Sequence, residues 1–467
     1  MKSYPSCYCT HKKMKNMFRF KKKMMAKFIS LLFLMIKEIH TMSKNLKSVI
    51  TCDLDGKIET FSEGAQQLFG YTEEEIIGKG RVSDFSAGQI VLGHVVNWLS
   101  ESVEKGKWEG NTVFLHKDGT EMPCKIKITP TKDNEGNHIG YCGVTSPLAD
   151  KSADEVRPKI SFGTKLFSWM VIMRLPFLTA TIVPILLGAA VASKFVSIDW
   201  FYFALTMLGG FLLHIGTNTS NDYYDHTSGT DEANYNYMVP FSGGSRSIQM
   251  GLISAKGMLN VAVITFALSA IVGIPLIYKA GINILYLGII GFLSGLFYTA
   301  PPFRFASRKG LGELLIGLNF GPLMVAGSFL VQTGGDMTHI MDSVLAGIPI
   351  GFLVAAIVFV NQFPDHDGDK LTGKNNLVVV FGPEKARIGY VALIIGAFIS
   401  IIALSWTNPN TFPTLSLVSL ITSVYSVFTI KTLYKHYDNR LLQPANAGTI
   451  GLHFLPGLFF CAGIWLG

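Results

Sequence analysis

Asn218-Thr-Ser-Asn-Asp-Tyr-Tyr-Asp-His-Thr-Ser-Gly-Thr-Asp231 places acidic side chains directly after a long apolar run. The run, residues 200–215, has the composition of a membrane helix, in which carboxylates are costly and therefore indicate a functional site. On a helix, Asn218, Asp222 and Asp225 stand at i, i+4 and i+7 and share one face. Asp231 follows just after a glycine, where the chain can turn back toward that face.

A second stretch repeats this arrangement at the end of another apolar run: Asn361-Gln-Phe-Pro-Asp-His-Asp-Gly-Asp-Lys-Leu-Thr-Gly-Lys374. Asp365 and Asp369 stand at i and i+4 and again share a helix face. Two such clusters facing each other form a cage of oxygen ligands suited to Mg²⁺, which takes water and substrate phosphate oxygens as its other ligands. The predicted metal ligands are Asp222, Asp225, Asp231, Asp365 and Asp369, and all of these except Asp231 are also predicted to be catalytic.

The composition indicates a membrane protein with one basic segment. The 467 residues are 49% hydrophobic and 15% charged, with 33 Phe and 47 Gly. Residues 1–45 contain ten Lys, one Arg and one Glu, a local charge of +10 within a total of +8, so the remainder carries −2. Because the basicity is confined to this segment, nucleic acid is excluded as a partner. The six Cys show no CxxC pair and no zinc-ligand spacing.

Residues 1–45 form a basic N-terminal tail. A Lys-rich run at 12–27 precedes a nine-residue apolar stretch at 28–36, which is shorter than the ~20 residues that span a bilayer. No small-residue cleavage site of a signal peptide follows it. The segment is interpreted either as a basic tail at the membrane surface or as a start assigned too far upstream, with Met42 as the initiator.

Residues 46–148 have the pattern of a small soluble α+β domain. Alternating runs at 48–53 and 57–61 flank Asp55-Gly56, a hairpin signal. Helices are predicted at 62–68, 72–77 and 89–104, and strands at 108–116, 121–129 and 138–144. With Asp55-Gly56, Phe69-Gly-Tyr-Thr-Glu-Glu-Glu-Ile-Ile-Gly78 and Lys117-Asp-Gly-Thr120 resemble a PAS sensor domain. The resemblance implies a module that dimerises or binds an unassigned small ligand.

Nine apolar segments follow a polar linker at residues 149–165. Each is near bilayer length and rich in the small residues that close-packed membrane helices prefer. They lie at about 168–193, 198–221, 258–278, 281–299, 311–332, 343–363, 386–405, 413–430 and 448–466. We therefore expect residues 166–467 to form a multi-pass all-α membrane domain.

The protein is expected in the cell membrane (the inner or plasma membrane), and the loops between these segments predict its orientation there. Loops after the even-numbered segments carry twelve Lys and Arg residues, whereas loops after the odd-numbered segments carry two, Lys194 and Lys279. Because positively charged loops remain in the cytoplasm, the N-terminus, the PAS-like domain and both acidic stretches are expected on the cytoplasmic side.

Three cations in these loops are expected to meet the carboxylates. Arg246 lies in a Gly-rich loop whose backbone N–H groups can hold an anion, Arg304 follows Pro-Pro-Phe, and Lys374 follows the second acidic pair. Carboxylates, Mg²⁺ and cations around one cavity suit a bound diphosphate, and an apolar interior beside them suits a long lipid tail. The predicted substrate-binding residues are Asn218, Asn221, Arg246, Tyr298, Arg304, Asn361 and Lys374.

With these motifs, residues from about 166 to 467 resemble the UbiA-type superfamily of intramembrane aromatic prenyltransferases. Asn221-Asp-x-x-Asp225 with Gly229-x-Asp231 is similar to its first Asp-rich motif, and Asp365-x-x-x-Asp369-x-x-x-Gly-Lys374 to its second. Together with Gln249-Met-Gly-Leu-Ile-Ser254 and Gly310-Leu-Gly-Glu313, they are most similar to 1,4-dihydroxy-2-naphthoate polyprenyltransferases. Ser242-Gly-Gly-Ser-Arg246 and Gln362-Phe-Pro364 depart from the best-known members at these points.

The resemblance implies nine transmembrane helices and Mg²⁺-dependent transfer of a polyprenyl group from polyprenyl diphosphate to an aromatic acceptor. The implied acceptor is 1,4-dihydroxy-2-naphthoate, in menaquinone biosynthesis, where loss of CO₂ restores the aromatic ring. Arg246, Arg304 and Lys374 would hold the departing diphosphate. Two alternatives remain: prenyl transfer to another acceptor, or a non-catalytic membrane sensor that binds isoprenoid or quinone. The intact acidic and basic set favours the enzyme.

Four further residues have two interpretations each. Arg174 is expected either to reach the diphosphate or to extend toward the membrane surface. His214 and His453 are interpreted as packed polar residues rather than ligands. His94 stands on a helix where haem-binding PAS domains place their iron ligand, but a packed or surface histidine is the favoured interpretation.

Overall fold

The computed structural model describes residues 46–467, and the interpretations of residues 1–45 lie outside this range. The described residues up to Ser161 form one compact unit, and Phe162–Gly467 form a second. Each unit has its own hydrophobic core.

The first unit is a five-stranded antiparallel sheet with short helices. Its strands are β1 Ser48–Asp53, β2 Ile58–Phe61, β3 Trp108–Leu115, β4 Glu121–Lys132 and β5 His138–Pro147. They are arranged in the order β2-β1-β5-β4-β3. Its helices are α1 Glu63–Phe69, α2 Glu73–Ile76, α3 Gly88–Ile90 and α4 Val96–Lys105, with a π-helical turn, Val91–Val95, between the last two.

Local sequence explains how this unit is held. Thr72 caps α2: its hydroxyl accepts the Glu75 N–H, and the Glu75 carboxylate accepts the Thr72 N–H. In the core, the rings of Phe69 and Phe85 stack with centroids 4.4 Å apart, and Phe114 meets Phe69 edge-on. The expected small α+β fold is confirmed.

Part of the predicted linker packs on this first unit. Helix α5, Ala153–Val156, buries its last side chain, and Arg157 forms an ion pair with Glu121 of β4. Residues up to Ser161, which include most of the predicted linker, therefore belong to the first unit.

The structure favours a packed role for His94 over the haem-ligand interpretation. Its Nε2 atom lies 3.1 Å from the carbonyl oxygen of Lys159. Its ring stacks on Trp98 with centroids 5.9 Å apart. The nitrogen that would coordinate a haem iron is therefore already in contact with protein.

The second unit is helical. Its helices are α6 Phe162–Ile172, α7 Thr179–Ala192, α8 Trp200–Thr227, α9 Thr230–Ala233, α10 Ala255–Ala280, α11 Ile282–Leu296, α12 Leu311–Leu318, α13 Met324–Gln332, α14 Ile340–Leu371, α15 Leu377–Phe381, α16 Pro383–Thr407, α17 Ser423–His436 and α18 Gln443–Leu466. Helix α8 packs on α10, and α7 packs on α13 and α18. Most of each acidic stretch lies in the last turns of α8 or α14, which are the two longest helices, and Asp231 lies on α9.

Eight helical segments in residues 46–467 are long and apolar enough to cross a membrane. They are Leu175–Ala192, Trp200–Thr227, Ala255–Ala280, Leu311–Gln332, Ile340–Leu371, Pro383–Thr407, Thr414–His436 and Arg440–Leu466. The ninth expected span, residues 281–299, forms α11, which has 15 residues and is about 22 Å long. The helix is shorter than the predicted span because the backbone leaves the helical conformation after Leu296, although the apolar residues continue. The protein is a multi-pass membrane protein.

Close helix packing explains some of the glycines. Helices α12 and α13 meet at a π-helical turn, Asn319–Leu323, which lies against α14. A Cβ at Gly321 would lie 2.5 Å from the carbonyl oxygen of Gly347, so this approach requires glycine.

Candidate active site

The end of the first acidic stretch faces a polar cavity of about 180 Å³. Asn218, Asn221 and Asp225 line it from α8, and Asp231 lines it from α9. Asn221 donates from Nδ2 to Asp225 Oδ2 at 3.2 Å. These side chains converge because they follow one another by three or four residues along the last turns of α8.

Asp222 differs from the predicted arrangement because it faces a loop rather than this cavity. Its carboxylate accepts the Ser245 N–H at 3.2 and 3.3 Å and lies 3.6 Å from Arg174 Nη1. Gly244 lines the cavity at this point, with φ of +70°, and a Cβ there would come within 2.8 Å of Asp222 Oδ1. Asp222 therefore supports the cavity wall, and its predicted role as a metal ligand remains a prediction.

The second acidic stretch lines the same cavity from α14, through Asn361, Gln362, Asp365 and Asp369. Asp365 accepts the Gly243 N–H at 3.2 Å and a hydrogen bond from Asn234 Nδ2. Asp369 accepts one from Asn376 Nδ2 at 2.7 Å. The structure thus brings the two stretches together around one space, as the spacing predicted.

Lys374 joins the two stretches. Its Nζ atom lies 3.1 Å from Asp225 Oδ2 and 3.7 Å from Asp369 Oδ1. Burial alone would lower the pKa of the ammonium, but the charges of Asp225 and Asp369 outweigh this effect and hold the pKa well above its usual range. Lys374 is therefore charged at neutral pH and lies between two carboxylates on the cavity wall.

Asp231 is 4% exposed and lies in the cavity wall near two other carboxylates, Asp225 and Asp222. Its Oδ2 atom accepts a hydrogen bond from Gln249 Nε2 at 3.1 Å. Burial, followed by the charges of Asp225 and Asp222, raises the pKa of Asp231 well above its usual range. A cation bound nearby would favour its ionised form.

Two of the predicted cations do not line this cavity. Arg246 donates to the carbonyl oxygen of Asp231, and its guanidinium lies 4.0 Å from the centre of the Tyr237 ring, so it is held in the loop by its own neighbours. Arg304 is half-buried in a left-handed turn with φ of 45°, and nearby Ala306 lines the cavity instead. Their predicted contacts with a diphosphate remain predictions.

Arg174 lines the cavity, where the sequence left two interpretations open. Its side chain is 15% exposed and pairs with Asp222. Its guanidinium carbon lies 5.0 Å from the centre of the Phe177 ring. These contacts favour a role at the polar end of the cavity over extension toward the membrane surface.

A larger apolar cavity of about 750 Å³ adjoins the polar one. Side chains of α8, α10, α11, α12 and α13 line it. The residues that line both cavities are His214, Thr217, Tyr298, Ile316 and Phe320. The site therefore combines an acidic and basic end with a long apolar space, and these residues mark the junction.

The polar cavity fits Mg²⁺ by the chemistry of its donor set. Asp225, Asp231, Asp365 and Asp369 all line it, and the buried Oδ1 atom of Asn221 has no hydrogen-bond partner among the described residues. Within residues 46–467, no three His, Cys, Asp or Glu side chains lie close enough to hold one ion by themselves. Mg²⁺ commonly takes only one or two protein carboxylates and completes its shell with water and substrate phosphate, so the residues present suit it.

The sequence did not predict one side-chain amide that supports the second acidic stretch, that of Asn446. Pro364 lies inside α14 and has no N–H to donate to the carbonyl of Val360. Asn446 of α18 donates from Nδ2 to that carbonyl oxygen at 3.3 Å and to Asn361 Oδ1 at 2.8 Å. The signal that could have revealed this partner is the proline itself, because it leaves a carbonyl that must be satisfied elsewhere.

Residues 181–447 match the UbiA prenyltransferase family, and residues 46–145 match the PAS domain family. The chain belongs to the UbiA prenyltransferase family and is a prenyltransferase with an N-terminal PAS domain. It is 30% identical over 231 residues to 1,4-dihydroxy-2-naphthoate octaprenyltransferase from Bacillus subtilis, covering 50% of this chain and 71% of that one. The Escherichia coli protein of the same name is 26% identical over 310 residues, covering 64% and 95%. A solved UbiA homolog from Archaeoglobus fulgidus bound to DMAPP and Mg2+ is 19% identical, covers 63% of this chain and 99% of that one, and has a TM-score of 0.43.

Proposed function

We propose that this protein transfers a polyprenyl group from polyprenyl diphosphate to 1,4-dihydroxy-2-naphthoate, with Mg²⁺ as cofactor, in menaquinone biosynthesis. The observation that carries the proposal is the junction of a polar cavity lined by four aspartates and Lys374 with an apolar cavity of about 750 Å³. A diphosphate with a long hydrocarbon tail needs both environments side by side.

The polar end suits the diphosphate. Mg²⁺, held by one or two carboxylates from the set Asp225, Asp231, Asp365 and Asp369, would supply the charge neutralisation that makes diphosphate a good leaving group. Lys374 presents its ammonium group to the same space. Arg174, which pairs with Asp222 of the first acidic stretch, also lines it. Both can donate hydrogen bonds to phosphate oxygens.

The apolar cavity suits the prenyl tail. Its aliphatic and aromatic lining comes mainly from α10 and α11. Such a lining keeps water away from the reacting carbon, and an allylic cation formed there would otherwise be hydrolysed. The volume of this cavity supports a tail of several isoprene units.

The acceptor is supported by similarity rather than by a contact. Relatives from Bacillus subtilis and Escherichia coli carry the name 1,4-dihydroxy-2-naphthoate octaprenyltransferase. A naphthoate acceptor also makes a separate base for a ring C–H unnecessary, because loss of CO₂ restores aromaticity.

Carboxyl-labelled 1,4-dihydroxy-2-naphthoate tests the proposal. Membranes that contain the protein, supplied with this acceptor, a polyprenyl diphosphate and Mg²⁺, are expected to release labelled CO₂ in equal amount to the prenylated product. Membranes from cells without the protein serve as the control. Prenylated product that retains the label would contradict decarboxylating transfer.

We further propose that the site and the PAS domain face the cytoplasm, on the basis of the distribution of Lys and Arg among the loops. Arg308→Cys and Thr338→Cys test this, because both positions are exposed but lie in loops at opposite ends of α12–α13. In intact cells, a membrane-impermeant thiol reagent is expected to modify position 338 and to leave position 308 unmodified. Modification at 308 from outside would refute the orientation.

The PAS domain is proposed to dimerise or to bind a small ligand and thereby to regulate transfer. Every residue that lines the two cavities lies in the second unit. This separation supports a regulatory role for the PAS domain over a catalytic one.

A further inference from the structure

His214 lies where the two cavities meet. It is on α8, one turn before Asn218, is 8% exposed, and lines both the polar and the apolar cavity. From sequence, His214 is interpreted as a packed polar residue, and none of the roles proposed above uses it. The reacting carbon of a prenyl diphosphate joins the diphosphate to the tail, so it must lie at this junction.

Two contacts fix the imidazole ring. Nδ1 lies 2.8 Å from Thr181 Oγ1 of α7, and the ring meets Phe320 edge-on with centroids 4.9 Å apart. Nδ1 is therefore engaged by protein, and Nε2 is the ring nitrogen left for a ligand. When Thr181 accepts the Nδ1–H, Nε2 carries a lone pair and can accept a proton.

The other side chains at the junction are less suited to accept a proton. Ile316 and Phe320 have no polar atoms, and the Thr217 hydroxyl already donates to the Leu213 carbonyl at 3.0 Å. Tyr298 presents a phenol, which is a weak base when neutral. Histidine is the side chain most often used for proton transfer near neutral pH.

We propose that His214 binds a hydroxyl group of the aromatic acceptor and accepts its proton during prenyl transfer. This inference rests on the proposed function and adds a residue that contacts the acceptor. It places the acceptor ring beside α8 at the junction, with its hydroxyl toward Nε2.

The proton and electron pairs balance within this step. The C–O bond of the allylic diphosphate breaks, and its electron pair leaves with the diphosphate. The ring carbon that carries the carboxylate forms the new C–C bond, while the adjacent hydroxyl gives its proton to His214 and becomes a ketone. The carboxylate then leaves as CO₂, its bonding pair restores the aromatic ring, and the oxygen takes the proton back from His214.

The test compares the full-length wild-type protein with His214→Asn and His214→Gln in membrane vesicles. Asparagine can keep the contact with Thr181 but has no atom at the position of Nε2, whereas the longer glutamine side chain can place a polar atom there. The assay uses geranylgeranyl diphosphate and a series of dihydroxynaphthoates with increasingly acidic hydroxyl groups. Dividing the wild-type rate by the variant rate for each acceptor cancels differences in ring reactivity.

For the least acidic acceptor, His214→Asn is expected to lower kcat/KM for the acceptor by about 100-fold. The ratio should fall toward one as the acceptor hydroxyl becomes ionised in solution, and His214→Gln should lie between asparagine and wild type. The KM for the diphosphate should be unchanged. His453→Asn is the matched control, since His453 is also buried in a long helix but lines neither cavity. Its ratio should not depend on the acidity of the acceptor.

Two results would overturn the inference. A constant ratio for His214→Asn across the acceptor series, at equal amounts of inserted protein, would assign His214 a packing role and leave the proposed function standing. Absence of transfer by the wild-type protein to any member of the series would overturn the proposed acceptor and the His214 assignment together.

Discussion

Replacing Asp225, Asp365 or Asp369 with asparagine is expected to reduce prenyl transfer by at least about 100-fold while the protein still inserts into membranes. Each carboxylate lines the polar cavity, and loss of one anionic oxygen weakens the binding of Mg²⁺ and of the diphosphate together. Asp222→Asn is expected to have a comparable effect through the release of Arg174, its partner at 3.6 Å. Activity should disappear with EDTA and return with added Mg²⁺.

Asp367→Asn is the matched control for these variants. Asp367 lies in the same acidic stretch, two residues before Asp369, but its side chain is 73% exposed and contacts His366. We expect its activity to stay within about twofold of wild type, since exposed ion pairs contribute little. The measurement is initial rate of prenyl transfer at equal amounts of inserted protein. Near-wild-type turnover in any two of the Asp222, Asp225, Asp365 and Asp369 variants would refute the proposed site.

Lys374→Met is expected to lower kcat/KM for the polyprenyl diphosphate by about 100-fold. Removal of the ammonium leaves Asp225 and Asp369 without the cation that now lies 3.1 and 3.7 Å from them. Breaking a buried charge pair by removing one partner costs about 3–5 kcal/mol of folding stability. Lys374→Arg should recover part of the activity, because it restores the charge but replaces a compact ammonium with a planar group.

Lys370→Met provides the comparison for Lys374→Met. Lys370 lies four residues earlier, and its side chain is exposed. This variant loses the same charge from the same region without changing the cavity. Initial rates measured over a range of diphosphate concentrations for both variants separate the loss of a positive charge from the change in the cavity. Equal KM and kcat in Lys374→Met and Lys370→Met would show that the buried ammonium has no part in binding the diphosphate.

The sequence predicted that the two acidic stretches would lie close together, and it did so because its signal is strong. A carboxylate within an apolar helix is rare, and the spacing of Asp365 and Asp369 already placed both on one face. Lys374 follows the second pair so closely along the chain that it had to lie near them. The confirmed helical membrane fold likewise follows from long apolar runs, which few other structures can accommodate.

Other parts of the site gave no such signal. Asn234 and Asn376 bind Asp365 and Asp369, but an asparagine in a polar loop looks the same whether or not it binds a carboxylate. Arg246 was expected in the cavity because positive charge was expected there. The sequence does not show that the ring of Tyr237 and a backbone carbonyl would take up its guanidinium instead.

Asn446 has a consequence for the order in which the protein becomes active. It lies in the last helix, Gln443–Leu466, yet it satisfies the carbonyl of Val360 and holds the amide of Asn361 beside the second acidic stretch. During synthesis the ribosome delivers α14 long before α18. Until the last helix docks, the carbonyl that Pro364 leaves free and the amide of Asn361 lack the hydrogen bonds that Asn446 supplies. A chain that ends after α14 therefore holds all of the site's aspartates but cannot yet form the finished site.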